Sequence, residues 1–176
     1  MIALALASDP DVLIADEPTT ALDVTIQAQI IQLLLDLKEK RGISIIFISH
    51  NLALIGSIAE RIIVMYSGLI LENGPAQKVL HRPHHPYTRA LLDSILTFGD
   101  HYSNRSLHVV PGTIPDPHNP ESGCPFAPRC PLATEQCRVR IPDVKSEGTE
   151  HRCIFAGVKE SLADSAELLE PEAGDA

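Results

Sequence analysis

The chain has 176 residues, enough for one core domain with an appendage, and its 44% hydrophobic and 21% charged residues are typical of a globular protein. A formal net charge of −9 and the absence of Trp disfavour direct nucleic-acid binding, because phosphates would be repelled and no stacking platform is evident. The longest fully apolar stretch, residues 1–7, is too short to span a bilayer and lacks the basic flank of a signal peptide, so we expect a cytosolic protein.

Composition divides the chain into three regions. Residues 1–96 are rich in Ile, Leu, Val and Ala and alternate strand-like with helix-like segments. Residues 97–156 hold most of the prolines and all four cysteines, and predict a small irregular region. Residues 157–176 carry six acidic residues against one Lys, which predicts a solvated, disordered tail.

The first region begins with a strand, a helix and a second strand. The apolar run 12–15 is typical of a buried parallel strand, and residues 44–48 predict another. Between them a helix begins at Asp23, which can cap it, and ends at Gly42. Its predicted inner face consists of Ile26, Ile30, Leu33 and Leu37. Strand–helix–strand order predicts an α/β fold with a parallel sheet, right-handed crossovers and flanking helices.

Three more segments complete this region. Residues 51–59 predict a short helix that Asn51 can cap. A strand over 61–66, a tight turn at residues 67–68 and a returning strand over 69–72 follow. The last predicted helix begins at Pro86 and runs to residue 96, with an inner face of Leu91, Leu92 and Ile95.

Three histidines precede this last helix and could form a metal site. Pro83 and Pro86 interrupt any helical spacing among them. We therefore expect His81, His84 and His85 to form an exposed structural loop.

Polar residues follow both strands of the predicted parallel pair. Asp16 and Glu17 follow the first strand, and His50 follows the second. Ligands gather at the carboxyl ends of parallel strands, so we expect these side chains at one sheet edge. There Asp16 would hold Mg²⁺ or its waters, Glu17 would orient an attacking water, and His50 would contact a terminal phosphate. The alternative is structural, because acid pairs at strand ends also form turns and helix caps.

Several segments carry a family resemblance. Residues 12–23, Val-Leu-Ile-Ala-Asp-Glu-Pro-Thr-Thr-Ala-Leu-Asp, resemble the Walker B strand, catalytic glutamate and D-loop of ABC ATPases. Residues 48–52 resemble their switch-histidine segment, with Asn51 where Asp is more usual. The resemblance covers nearly everything except the acidic tail, and it is closest to the dipeptide/oligopeptide importer branch in residues 64–68, 85–92 and 123–131.

This resemblance implies a partial P-loop NTPase domain with ATP and Mg²⁺ as cofactors. Asp16 would serve Mg²⁺, Glu17 would be the general base or water-orienting residue, and His50 would contact the γ-phosphate. Asp23 would lie at a dimer interface that couples two nucleotide sites.

The resemblance also implies a place in a transporter. The partners would be a second ABC ATPase subunit in a homo- or heterodimer, two transmembrane permease subunits and, indirectly, an extracytoplasmic peptide-binding protein, but no nucleic acid. The chain would lie peripherally on the cytoplasmic side of the cell membrane. Its substrate stays open, because related importers carry nickel or sugars as well as peptides.

The motifs that grip phosphate are absent from this sequence. None of the ten glycines precedes Lys, so no Gly-x-x-x-x-Gly-Lys-Ser/Thr loop (Walker A) is present, and neither are the Q-loop and the Leu-Ser-Gly-Gly-Gln-type signature. We therefore expect the chain to begin inside a domain and to be inactive by itself.

Two functions from different classes remain. The first is the ATP-hydrolysing subunit, here partial, of an importer of di- and oligopeptides. The second is a non-catalytic metal-binding or regulatory module on an ATPase-derived scaffold. An ABC ATPase that acts on DNA or ribosomes is disfavoured by the negative charge and the importer-like segments.

The four cysteines predict one iron–sulfur cluster, of the four-iron type and structural in role. Five, six and fifteen residues separate Cys124, Cys130, Cys137 and Cys153, unlike the Cys-x-x-Cys spacing of zinc knuckles. Pro follows Cys124 and Cys130, as in ferredoxin ligand runs. The resemblance points the same way, since some importer ATPases of this branch hold such a cluster. A four-thiolate Zn²⁺ site and free or disulfide-bonded cysteines remain alternatives.

Overall fold

The computed structural model describes residues 2–20, 22–94, 112–113 and 122–156. These residues form a mixed α/β structure that divides into two compact units, Met1–Asn51 and Leu52–Ala176. The predicted region boundary at residue 96 and the predicted acidic tail lie outside the described residues. No helix among the described residues is long and apolar enough to cross a membrane.

The first unit contains two helices and two parallel strands. Helix α1 (Ile2–Leu6) precedes strand β1 (Val12–Asp16), helix α2 (Val24–Arg41) and strand β2 (Ser44–Ile48). Strands β1 and β2 pair in parallel, with Asp16 opposite Ile48 at the carboxyl ends. The two strands therefore end together at one edge.

Helix α2 has the two boundaries that its sequence predicts. The Asp23 carboxylate accepts a hydrogen bond from the Ile26 N–H at 3.0 Å, which caps the first turn. Gly42 has a φ of 68° and its N–H donates to the Lys38 carbonyl, which closes the last turn. Both predicted caps are confirmed.

The predicted inner face of α2 is wrong in part. Ile31 and Leu34 are the buried residues of this helix, whereas Ile26 and Leu33 are 39% and 46% exposed. Apolar residues occupy adjacent positions along α2, so its sequence periodicity favours no single face. The core instead consists of Leu13, Leu34 and Ile43, against which Leu6, Ile30, Leu37, Ile45 and Phe47 pack.

The strands of this unit are covered on one face. In β1 Leu13 and Ala15 are buried, whereas Val12 and Ile14 are 49% and 64% exposed. Full burial of both faces, which the continuous apolar run predicts, is therefore not observed in the described residues. The opposite face of the strand pair stays apolar and exposed.

The second unit is built on an antiparallel sheet. Its described elements are α3 (Leu52–Ile58), β3 (Arg61–Tyr66), β4 (Leu69–Pro75), α4 (Ala76–His81), α5 (Pro86–Asp93), a 3₁₀ turn (Ala127–Arg129), α6 (Glu135–Val139), β5 (Lys145–Ser146) and β6 (Glu150–His151). These strands lie in the order β3-β4-β6-β5, and their three pairings are antiparallel. Ser67 and Gly68 join β3 to β4 with φ angles of 46° and 80°, so the predicted tight turn is confirmed.

The cysteine-rich segment shares the core of this unit. Phe126 is 1% exposed and packs with Tyr66, Leu71 and Tyr87. The rings of Tyr66 and Phe126 meet edge to face, with centroids 5.6 Å apart. The β3–β4 hairpin therefore supplies part of the core around the cysteine-rich segment.

Helix α5 buries a different face from the predicted one. Pro86, Thr88 and Ala90 are buried, while Leu91 and Leu92 are only partly buried. Ile95 lies outside the described residues.

Candidate functional site

The carboxyl ends of β1 and β2 bring Glu17 and His50 into contact. The Glu17 N–H donates to the Ile48 carbonyl at 2.9 Å, which continues the parallel pairing. Its Oε1 accepts from the His50 backbone N–H at 3.0 Å and lies 2.8 Å from His50 Nδ1. The expected convergence of these two residues at one sheet edge is confirmed.

Thr20 completes the set of donors around this carboxylate. Its hydroxyl donates to Glu17 Oε2 at 2.9 Å, so both carboxylate oxygens are bonded. Glu17 also has a φ of 45°, an uncommon backbone conformation for a residue other than glycine. Thr20 is absent from the site residues predicted above, although a hydroxyl three residues after an acid in a turn is a recognisable signal.

These donors keep Glu17 ionised. The hydrogen bond from the His50 side chain, and then the one from Thr20, lower the pKa of Glu17 below its usual value. An ionised carboxylate can only accept, so Nδ1 of His50 carries the hydrogen and Nε2 is left for another partner. The arrangement provides a fixed negative charge beside an imidazole.

Asp16 and Asp23 lie near this pair in sequence but have different surroundings. Asp16 ends β1, is exposed and sits directly before Glu17. Asp23 caps α2 through the hydrogen bond described above. Within the described residues, no group of three His, Cys, Asp or Glu side chains is arranged to hold a metal ion.

All four cysteines line one cavity in the second unit. None of them forms a disulfide. The walls of this cysteine cavity are completed by Phe126, Ala127, Pro142, Arg152, Ile154, Phe155 and the two residues His85 and Pro86. Four thiols from widely separated positions therefore face one small space.

The backbone holds this arrangement tightly. The Cys124 N–H donates to the Cys137 carbonyl at 2.7 Å, and the Ala127 N–H donates to the Cys124 carbonyl at 2.9 Å. The Cys130 N–H then closes the 3₁₀ turn onto Ala127 at 3.2 Å. Backbone hydrogen bonds of Cys124, Cys130 and Cys137 therefore fix the positions of these three residues.

Burial keeps three of the four thiols protonated. It raises the pKa of Cys130 to about 12 and that of Cys153 to about 11, and it raises the pKa of Cys124 as well. Neighbouring cysteines reinforce these shifts, because a second thiolate nearby would be repelled. Any metal bound here must therefore displace protons from the sulfurs.

The exposed loop predicted for the three histidines is wrong in part. His81 is exposed at the end of helix α4, but His84 is partly buried and His85 is 1% exposed. The fully buried Glu72 accepts from the backbone N–H groups of His84 and His85 at 2.8 and 3.0 Å. The Thr149 hydroxyl also donates to Glu72, at 3.1 Å. Glu72 was not predicted as important, although a lone acid within an apolar strand is a signal of a buried polar network.

Gly123 makes the close approach of the cysteine segments possible. A Cβ at this position would overlap the Cys137 carbonyl oxygen and the Arg138 backbone. We expect Gly123→Ala to lower the free energy of unfolding by about 2 kcal/mol or more, since backbone cannot yield as a side chain can. Chemical denaturation measures this, with Gly56→Ala as control because its Cβ meets only the flexible Leu80 side chain. Equal stability of the two variants would contradict the role of Gly123.

Two family models match the chain. Residues 71–137 match the family described as the C-terminal region of the oligopeptide/dipeptide transporter. Residues 1–56 match an AAA domain family whose description also names the AbiEii toxin of type IV toxin–antitoxin systems. The AAA match contains Glu17 and His50. The transporter match contains three of the four cysteines.

Curated relatives cover most of the chain. The Dipeptide transport ATP-binding protein DppD of Escherichia coli (strain K12) is 46% identical over 157 residues, 88% of this chain and 47% of the relative. Its namesake from Haemophilus influenzae is 51% identical over 149 residues, 85% of this chain and 44% of the relative. The chain spans about half the length of these relatives. It therefore belongs to the family of dipeptide and oligopeptide ABC-transporter ATP-binding subunits and corresponds to their C-terminal part.

Proposed function

We propose that this chain supplies the hydrolytic residues of an ATP-driven importer of di- or oligopeptides. The observation that carries the proposal is the Glu17 carboxylate, bonded on both oxygens and kept ionised beside His50 at the carboxyl ends of two parallel strands. A fixed anion of this kind orients and polarises a water for attack on a phosphoryl group.

The neighbouring residues would share the remaining work. Asp16 offers exposed carboxylate oxygens directly before Glu17, and oxygen is the ligand type that Mg²⁺ prefers. Mg²⁺ held there would neutralise charge on the phosphates of ATP. His50, whose Nδ1 faces Glu17, would use Nε2 to contact the γ-phosphate. Asp23 would keep α2 in place by its cap and lie at the interface with a second ATPase subunit.

The proposed transporter setting rests on the names of the relatives, which are dipeptide transport ATP-binding proteins. The chain would work with a second ATPase subunit, two membrane permease subunits and, indirectly, a peptide-binding protein. It would lie on the cytoplasmic side of the membrane. Peptides are the proposed substrates for the same reason.

We further propose that Cys124, Cys130, Cys137 and Cys153 hold one four-iron cluster. Four free thiols around one cavity form the donor set that such clusters use. The spacing of these cysteines along the chain differs from the Cys-x-x-Cys spacing of zinc knuckles, which favours a cluster over one Zn²⁺ ion. Such a cluster would cross-link the parts of the chain that carry the four cysteines.

ATP binding and hydrolysis test the proposed division of labour. The 176-residue chain lacks a Gly-x-x-x-x-Gly-Lys-Ser/Thr loop, so calorimetry with ATP and Mg²⁺ should detect no micromolar binding to it. A chimera in which the chain replaces the matched part of the E. coli relative should bind and hydrolyse ATP. Micromolar binding by the chain alone, or a folded chimera that binds but never hydrolyses ATP, would contradict the proposal.

A further inference from the structure

One histidine in the wall of the cysteine cavity has an unused hydrogen-bonding atom. His85 lines the cavity together with the four cysteines. Its Nε2 is buried and has no hydrogen-bond partner among the described residues. A buried polar atom without a partner is costly, so it calls for a partner such as a bound group, an ion or a water.

The contacts of the other ring nitrogen determine what Nε2 can do. The Tyr87 backbone N–H donates to Nδ1 of His85 at 3.0 Å. A backbone amide is a donor only, so Nδ1 presents its lone pair and the hydrogen of the neutral ring resides on Nε2. His85 is therefore a donor toward the cavity group and is unsuited to bind a metal through Nε2.

We propose that His85 donates an Nε2–H···S hydrogen bond to the group held by the four cysteines. The inference rests on the iron–sulfur cluster proposed above. The acceptor would be a cluster sulfide or a ligating thiolate, both of which gain electron density that a donor stabilises. His85 is thus a positioning and tuning residue and leaves ligation to the cysteines.

The ring is held in place before any ligand binds. Glu72 accepts from the His85 backbone N–H at 3.0 Å, and helix α5 begins with the Tyr87 N–H bonded to the ring. The ring also packs beside Phe126, with centroids 6.1 Å apart. Because backbone, ring nitrogen and ring face are each fixed, the donor is preorganised for its acceptor.

Two substitutions separate this donor role from the structural role of the ring. His85→Asn keeps a side-chain acceptor for the Tyr87 N–H but has no group at the position of Nε2. His85→Gln places an N–H near the position of Nε2 but loses the acceptor that caps helix α5 through the Tyr87 N–H. The complete chain and both variants would be loaded anaerobically with ferrous iron and sulfide, and the midpoint reduction potential of the cluster measured.

Loss of a donor to sulfur shifts the potential to more negative values, since the reduced cluster loses stabilisation. We expect this negative shift in His85→Asn and a potential close to wild type in His85→Gln. The shift appearing in His85→Gln but not in His85→Asn would indicate a purely structural role, and no shift in either loaded variant would overturn the hydrogen bond. A wild-type chain that takes up no iron and sulfide would instead overturn the cluster itself, and with it the role of His85.

Discussion

Glu17→Gln in the ATPase chimera is expected to reduce kcat by about 100-fold or more, the scale of losing one preorganised electrostatic contact. The substitution keeps the shape of the side chain and an oxygen that accepts from Thr20 or His50, but it removes the charge that polarises water. The Kd for ATP should stay unchanged, because the carboxylate acts on the attacking water. Steady-state hydrolysis and nucleotide titration measure the two quantities.

Glu39→Gln is the matched control for this prediction. Glu39 is an exposed acid in the same unit, on helix α2. Glu39→Gln makes the same chemical change away from the carboxyl ends of β1 and β2. The kcat of the chimera should therefore stay unchanged. Near wild-type turnover by the Glu17→Gln chimera would contradict the proposed role in hydrolysis and leave Glu17 with a structural role in the turn.

Cys137→Ser is expected to abolish most of the iron bound by the chain. Cys137 joins two parts of the cysteine cavity, since its thiol lines the cavity and its carbonyl accepts from Cys124 N–H. The wild-type chain, purified anaerobically, should contain about four irons with matching sulfide, as four-iron clusters do. Serine is a poor ligand for iron in such a site, so cluster retention should fall steeply. Iron, sulfide and zinc analysis of both proteins measures the effect.

His81→Ala controls for loss of a metal-binding side chain outside the cavity. His81 is exposed at the end of helix α4 and does not line the cavity. Its substitution should leave the iron content unchanged. One zinc without sulfide in the wild-type chain would refute the cluster and retain the site, whereas full iron binding by Cys137→Ser would refute the four-cysteine ligand set.

Local patterns predicted several helix and strand boundaries in the first unit well. The cap at Asp23, the stop at Gly42 and the strand over residues 44–48 each depend on side chains within a few residues. The contact between Glu17 and His50 was also predictable, because parallel neighbours place their carboxyl ends together. Such inferences need no knowledge of distant packing.

Long-range pairing accounts for the error at the histidines. The prolines around His84 and His85 predict an exposed loop. His85 is buried instead and His84 is partly buried, because Glu72 binds the backbone of both and Thr149, 77 residues after Glu72, closes the same network. The face of α2 could not be predicted for a different reason, since adjacent apolar residues offer several faces and only the packing of Leu34 against Leu13 selects one.

Uptake of a labelled dipeptide by cells that lack the E. coli relative tests the central claim most directly. The claim is that this chain supplies the hydrolytic residues of a peptide importer. Cells that express the chimera should accumulate the dipeptide, and cells that express its Glu17→Gln variant at equal level should not. Failure of a stable, membrane-assembled chimera to restore uptake, or equal uptake with Glu17→Gln, would contradict the claim.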